Sequence, residues 1–344
     1  MSDVIEVSYT GDLLAHRRCP RAWAYEKHVG IHPYEHVQAM EGYLVHHAME
    51  WLTDYYNKNG RAAHATRDEL IEQLNGYFKV LWGRGIRTTF SSRDDTIERV
   101  ANHLYPLPKG KPLPEVKAVI EGALHEEYPL RSVRKVVPAK FGGKSRVLLT
   151  GVLDVVVQQQ SSLTYERIWQ WNDLEELRGE AVEGIEIAQK GDLEIWDYKG
   201  TRSSTGYLED YVRQVVTYAA LLEDRLGLPK RCVLFFVNEP DRKKRLLAIP
   251  ITPVVVKGAV EWTLDQVSDL RQTVLQMQTD PLSVGGGDYR LRDRPLKDRV
   301  TTELKAQCTA CGQRFDCAAY RAHLGPGKKG AEHTDVDILN VAKN

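Results

Sequence analysis

The stretch that most constrains this chain is the octapeptide LEIWDYKG at 193–200, an apolar run that ends in an aspartate, a tyrosine and a lysine. Side chains alternate between the two faces of a strand, so Asp197 and Lys199 are predicted to share one face. The run therefore predicts a buried strand whose end carries a carboxylate beside an ammonium group. A salt bridge at a strand terminus would explain the pair as well, so the tripeptide needs the context of the chain.

Composition places the chain among ordinary globular proteins. Of 344 residues, 42% are hydrophobic and 27% are charged, with 47 basic and 47 acidic side chains. The zero net charge does not indicate nucleic-acid binding, but basic residues cluster at 17–21, 131–146 and 242–245. Such clusters suit either a solvated face or a phosphate backbone. The sequence shows no signal peptide and no long apolar run, so we expect a cytoplasmic protein.

The spacing of apolar residues divides the chain into helices and strands. The predicted helices cover 9–29, 36–58, 66–82, 92–104, 207–225 and 254–277. The predicted strands cover 145–157, 193–199, 232–237 and 246–252. The acidic segment 158–190 is predicted to be an irregular insertion or an extended hairpin. This order predicts an α/β sheet with both faces covered by helices.

Two positions upstream of the octapeptide carry metal-binding side chains. Asp154 lies in GVLDVVV, predicted to be a single strand, where an ionised carboxylate is costly unless it is paired or bound to a metal. Two adjacent strands that each offer one aspartate suit a hard cation such as Mg²⁺. On the 36–58 helix, His46 follows Gly42 by four residues, and Glu50 lies one turn further on the same face.

The helix after the octapeptide carries Gln214 and Tyr218, four residues apart and therefore on one face. In chain order the series is G-x-x-x-H, G-x-x-D, D-Y-K and Q-x-x-x-Y. Over roughly residues 40–240 this series resembles the RecB-like branch of the PD-(D/E)XK nucleases. The matching residues are His46, Asp154, Asp197, Lys199, Gln214 and Tyr218.

The resemblance implies a restriction-endonuclease-like mixed sheet flanked by helices, with an added helical lobe. It also implies a hydrolase that cleaves phosphodiester bonds in DNA. Members of this branch usually have a short hairpin between the two aspartates. Here the segment 158–192 must loop out if Asp154 and Asp197 are to meet.

Five cysteines need two different explanations. Cys232 lies in the apolar run CVLFFV, where a thiol behaves as a small core residue. Cys308, Cys311 and Cys317 form C-x-x-C-x₅-C, and Cys19 lies far upstream in RRCPRAW. By spacing alone, four such cysteines suit a structural zinc ion or a [4Fe–4S] cluster. They resemble the iron–sulfur staple of AddB-like and CRISPR-associated RecB-like nucleases, which implies a cluster that joins the two ends of the chain.

We expect four segments along the chain. They are an N-terminal helix with the first cluster cysteine at 1–35, a helical segment with an insertion at 36–140, the nuclease core at 141–280 and a cluster-binding segment at 281–344.

The resemblance also implies roles for the site residues. A divalent cation, Mn²⁺ or Mg²⁺, would be held by His46, Asp154, Asp197 and the Tyr198 carbonyl. Imidazole favours Mn²⁺ over Mg²⁺. Lys199 would position or deprotonate the attacking water, or neutralise charge on the phosphate. Residues expected to bind substrate or support the site are Gln214, Tyr218, Glu50, Arg134, Lys135 and Lys140.

The expected substrate is single-stranded or partly unpaired DNA, cut as an exonuclease. One role is the trimming of DNA beside a CRISPR integrase complex before spacer integration. Another is that of the nuclease subunit of a RecB- or AddB-like recombination system. The chain lacks a Walker motif, so any helicase would be a separate subunit. A non-catalytic DNA-binding scaffold with a structural zinc site is the remaining alternative.

Overall fold

The structure, a computed structural model, describes residues 4–24, 26–27, 39–86, 92–124, 132–138, 146–200, 203 and 206–279. Its contacts form two compact units. One consists of Met1–Tyr9 and Glu35–Asp265, and the other of Thr10–Tyr34 and Gln266–Asn344. Among the described residues, no helix has the length and apolar character needed to cross a membrane.

The elements follow one another in this order. The chain begins with β1 (Val4–Ser8), a π-helical turn (Tyr9–Leu14), α1 (Ala15–Arg18) and α2 (Pro20–Ala24). A helical lobe follows, made of α3 (Ala39–Lys58), α4 (Arg67–Gly83), α5 (Arg93–Leu104) and α6 (Pro114–Gly122). The next strands are β2 (Ser132–Pro138), β3 (Arg146–Val152), β4 (Val155–Gln158), β5 (Leu163–Asp173), β6 (Arg178–Ala188) and β7 (Leu193–Lys199). The last elements are α7 (Leu208–Leu226), β8 (Arg231–Phe236), α8 (Arg242–Arg245), β9 (Leu246–Pro250) and α9 (Pro253–Thr279).

The strands form two sheets. A three-stranded sheet has the order β1-β3-β2, and a six-stranded sheet has the order β4-β7-β8-β9-β5-β6. In the larger sheet β7 runs parallel to β8 and β9 runs parallel to β5, while the other neighbouring strands are antiparallel. The sheet is therefore mixed, as predicted.

The central strands of the larger sheet are buried on both faces. Trp196 and Tyr198 of β7 pack into the core of the helical lobe. On the other face, the Cys232 thiol lies 3.3 Å from the carbonyl oxygen of Val215 in α7. Helices that cover both faces explain why these strands are nearly continuous apolar runs. The prediction of a mixed sheet flanked by helices is confirmed.

Local sequence signals fix where two of the lobe helices, α4 and α5, begin. Thr66 and Glu69 form a capping box at the start of α4, and Ser92 and Asp95 form one at the start of α5. Each box satisfies backbone N–H groups that the first turn leaves without helical partners.

The segment 9–29, predicted to be helical, is helical in most of its described residues but is not one continuous helix. Tyr9–Leu14 is a π-helical turn, and α1 ends before Cys19, whose backbone is extended. A proline disfavours helical geometry in the residue that precedes it, so Pro20 explains the break.

The predicted strand at 145–157 was wrong as a single element. It divides at Leu153 and Asp154 into β3 of the smaller sheet and β4 of the larger one. The segment after it is the extended hairpin β5–β6, which adds to the far edge of the larger sheet beyond β9. We did not predict β1, β2 or α6 as separate elements.

Candidate active site

Asp197 and Lys199 lie at the end of β7 with their charged groups in contact. Lys199 Nζ is 2.5 Å from Asp197 Oδ2, and the two side chains are 12% and 4% exposed. Burial raises the pKa of Asp197 to about 6, although the Lys199 charge opposes that shift. Burial lowers the pKa of Lys199, but the Asp197 charge outweighs it and leaves the pKa above 10.5.

Asp154 lies in the two-residue link between β3 and β4, directly opposite Asp197. Val155 pairs with Trp196 in the antiparallel ladder, so the next pair outward in this register is Asp154 with Asp197. Asp154 Oδ2 accepts a hydrogen bond of 2.7 Å from the backbone N–H of Tyr198. The change of sheet at this link thus brings a second carboxylate to the end of β7.

His46 of α3 reaches the same corner, which is formed by Asp154 and the end of β7 with Asp197 and Lys199. Its Nδ1 lies 3.2 Å from Asp154 Oδ1, and its ring meets the Tyr198 ring edge-on with 5.6 Å between centroids. Burial lowers the pKa of His46, but the hydrogen bond to Asp154 and the charges of Asp154 and Asp197 outweigh it and raise the pKa above 6.5. The imidazole side chain remains 44% exposed, so solvent reaches it.

One face of α7 holds the ammonium group of Lys199. Lys199 Nζ donates a hydrogen bond of 3.0 Å to Gln214 Oε1, and Gln214 Nε2 donates one of 3.0 Å to the Tyr218 hydroxyl. The same Nζ lies 4.3 Å from the centroid of the Tyr211 ring. A Cβ at Gly151 would lie 2.5 Å from Tyr218 Cε1, so only glycine at 151 leaves room for this tyrosine.

A polar brace that sequence reasoning missed ties the loop after β8 to the site. Asn238 Nδ2 donates to the carbonyl oxygen of Gly200 at 2.7 Å and to Glu41 Oε2 at 3.4 Å. Glu41 Oε1 forms an ion pair of 2.9 Å with Arg99 of α5. Gly200 approaches α3 closely, since a Cβ on it would lie 3.7 Å from the Gly42 Cα. No short motif signals this brace, because its residues are far apart in sequence.

The structure describes some of the other predicted residues and not others. Glu50 is exposed, and its charge acts on the pKa of His47, which burial lowers. Cys19 is a partly exposed free thiol, and Cys232 is buried, with a pKa that burial raises well above 9. The side chains of Arg134 and Lys135, and all of Lys140, Cys308, Cys311 and Cys317, lie outside the described residues.

The donor types at the corner fit a hard divalent cation, although the side chains are engaged with one another. Within the described ranges, no three His, Cys, Asp or Glu side chains stand close enough to hold a metal ion together. Asp154 is paired with His46, and Asp197 with Lys199. Asp197 Oδ2 is buried, and the Lys199 ammonium group, 2.5 Å away, is the cation that it contacts. A buried carboxylate oxygen of this kind suits a cation.

Comparison with known proteins extends this picture. Residues 11–171 match a protein-family model described as PD-(D/E)XK nuclease superfamily. A search of the curated proteins finds no match. The superfamily match covers somewhat less than half of the 344 residues and includes His46 and Asp154.

The match ends within β5, before Asp197 and Lys199, so the second half of the site rests on the geometry alone. PD-(D/E)XK nucleases are phosphodiesterases that use divalent metals such as Mg²⁺ or Mn²⁺, and the mixed sheet flanked by helices fits their restriction-endonuclease-like fold. The match therefore favours a metal-dependent nuclease.

Proposed function

We propose that this chain is a metal-dependent DNA nuclease whose active site consists of His46, Asp154, Asp197 and Lys199. The observation that carries the proposal is the meeting of two carboxylates from neighbouring strands with an imidazole and a buried ammonium group. The superfamily match over residues 11–171 supports the same reaction class.

The residues at this corner would have different roles in phosphodiester hydrolysis. Asp154, Asp197 and His46, with the Tyr198 carbonyl, would hold a divalent cation, which supplies Lewis-acid stabilisation of the phosphate and lowers the pKa of bound water. The backbone N–H of Tyr198 orients the Asp154 carboxylate. His46 Nδ1 contacts Asp154 Oδ1, so each of these two proposed metal ligands would orient the other.

Lys199 has the character of an electrostatic stabiliser. Its contact with Asp197 keeps the pKa of the ammonium group high even though burial opposes the charge. A fixed cation next to the scissile phosphate stabilises negative charge that develops in the transition state. Gln214 and Tyr218 support Lys199 through the hydrogen bonds that orient the amide.

Cleavage of unpaired strands from an end is the proposed mode of action, in line with the exonucleases of the RecB-like branch. Oligonucleotides labelled at the 5′ or the 3′ end, single-stranded or double-stranded, test this proposal. Exonuclease action releases mononucleotides or short products from one labelled end first, and single strands should be cut faster than duplexes.

Lys199→Met should lower the cleavage rate about 100-fold, as expected for loss of a transition-state cation. Lys190→Met, which removes an exposed lysine in the turn before β7, is the matched control and should keep full activity. Full activity in Lys199→Met, or cutting only within closed circular DNA, would contradict the proposal.

We also propose a [4Fe–4S] cluster bound by Cys19, Cys308, Cys311 and Cys317. The C-x-x-C-x₅-C spacing and the partly exposed Cys19 thiol support it. Four thiolates meet the ligand requirement of such a cluster. Anaerobically purified protein should be brown, with about four iron atoms per chain. Cys19→Ser should bleach it and Cys232→Ser should not. One zinc per colourless chain would favour the structural zinc site.

We propose two alternative cellular roles for such a nuclease, on the resemblance to the RecB-like branch. One is DNA trimming beside a CRISPR integrase complex, and the other is nuclease work beside a helicase in a RecB- or AddB-like repair system. Reconstitution with purified integrase or helicase partners separates them, since only the true partner should change the length of the cleavage products.

A further inference from the structure

The ammonium group of Lys199 is held from three sides. Asp197 Oδ2 lies 2.5 Å away, Gln214 Oε1 accepts a hydrogen bond of 3.0 Å, and Nζ lies over the Tyr211 ring, 4.3 Å from its centroid. Tyr211 and Gln214 are three residues apart on α7, so they approach Lys199 from one helix face. Tyr211 is not part of the Q-x-x-x-Y pair at 214 and 218.

A cation over an aromatic ring is attracted by the negative face of the ring, more strongly where water is excluded. Lys199 is 12% exposed, so this contact lies in a largely dehydrated place. The contact also needs no proton from Tyr211, because the ring face and not the hydroxyl meets the ammonium group. A side chain without an aromatic ring could not replace it.

We infer that Tyr211 is a positioning residue that fixes Lys199 through its ring face. The inference rests on the proposed function, since it assigns to Tyr211 the placement of a catalytic lysine. A ring face occupied by an ammonium group is not available to stack on a DNA base. Through that face Tyr211 serves the reaction step and not the binding of a base.

Two variants separate the ring from the hydroxyl. Tyr211→Phe keeps the ring, and Tyr211→Leu removes it while keeping the side chain apolar. At saturating Mn²⁺, Tyr211→Leu should lower kcat about ten-fold with KM unchanged. Tyr211→Phe should match the wild-type protein in both constants. Full kcat in Tyr211→Leu, or equal loss in both variants, would overturn the inference.

A second readout is independent of activity. Melting temperatures are measured for Tyr211→Leu alone and in a Lys199→Met background, where no ammonium group is present. The contact predicts a larger loss of stability when Lys199 is present than when it is absent. An equal loss in both backgrounds would show that Tyr211 only fills space. If the wild-type protein cleaves no DNA, the proposed function fails, and this comparison still decides whether Tyr211 holds Lys199.

Discussion

Asp154 and Asp197 face each other across β4 and β7, one step beyond the last paired residues of the two strands. They reach this position although the β5–β6 hairpin separates them in sequence, because the hairpin pairs with β9 at the other side of the sheet. Lys199 and His46 each pair with one of the two carboxylates. The long insertion therefore leaves the corner intact.

Gly151 is predicted to be needed for the placement of Tyr218. An alanine Cβ would lie 2.5 Å from Cε1 and 2.8 Å from Cδ1 of a ring that is buried. Overpacking of this kind should lower the free energy of unfolding by about 1–3 kcal/mol in urea titrations. It should also lower kcat, because the ring moves away from Gln214.

Gly76→Ala is the matched control for that variant. A Cβ at Gly76, inside α4, meets nothing within 4 Å. Alanine there should raise the free energy of unfolding by about 0.5–1 kcal/mol, since glycine is costly inside a helix. A destabilised Gly76→Ala, or an unaffected Gly151→Ala, would contradict the packing described for these two sites.

The buried ion cluster at the start of β7 should matter for stability and not for catalysis. Arg231 pairs with Glu186, Asp192 and the fully buried Glu194. Arg231→Met leaves the Glu194 carboxylate without its cation and should cost about 3–5 kcal/mol of unfolding free energy. Glu194 lies about 10 Å along the strand from Asp197, so kcat measured well below the melting temperature should not change.

Acid should destabilise the protein in part through His16. Burial lowers the pKa of His16 to about 4, and its Nε2 lies 2.8 Å from Thr273 Oγ1. In the unfolded chain the pKa is near 6.5, so between pH 6.5 and 4 the unfolded state binds more protons. Stability should therefore fall as the pH decreases through this range. His16→Gln should reduce this dependence, and an unchanged pH profile of the melting temperature would contradict the assignment.

The basic run at 131–146 remains a predicted path for DNA. Replacing Arg134, Lys135 and Lys140 with glutamine should weaken DNA binding and flatten its dependence on salt, because fewer counterions are released. Binding measured in EDTA between 50 and 200 mM salt tests this prediction. Equal salt slopes for the variant and the wild-type protein would assign these side chains to a solvated surface.

Local patterns predicted the parts of the site that lie within one element. Strand alternation places Asp197 and Lys199 on one face, and helical spacing places Gln214 beside Tyr218, as the structure has them. The sequence did not show that the chain changes sheets at Asp154, because an apolar run continues through the change. Apolar periodicity reports burial along an element, and it carries no information on which sheet a strand joins.

The Asn238 brace could not be predicted for a related reason. Its contacts join residues from α3, the end of β7 and the loop after β8, which lie far apart along the chain. Only the folded sheet brings them together. The contact between Lys199 and the Tyr211 ring could not be predicted either. The position of Tyr211, three residues before Gln214, does not indicate that its ring faces an ammonium group.

The most direct test of the account is the DNA cleavage rate as a function of Mn²⁺ concentration for the wild-type protein and for Asp197→Asn. We predict saturable cleavage by the wild-type protein, complete loss with EDTA, and loss of about 100-fold or more in Asp197→Asn at every Mn²⁺ concentration. Far-ultraviolet circular dichroism of Asp197→Asn should match that of the wild-type protein. Cleavage that persists in EDTA, or that is equal in Asp197→Asn, would contradict a metal-dependent active site at the end of β7.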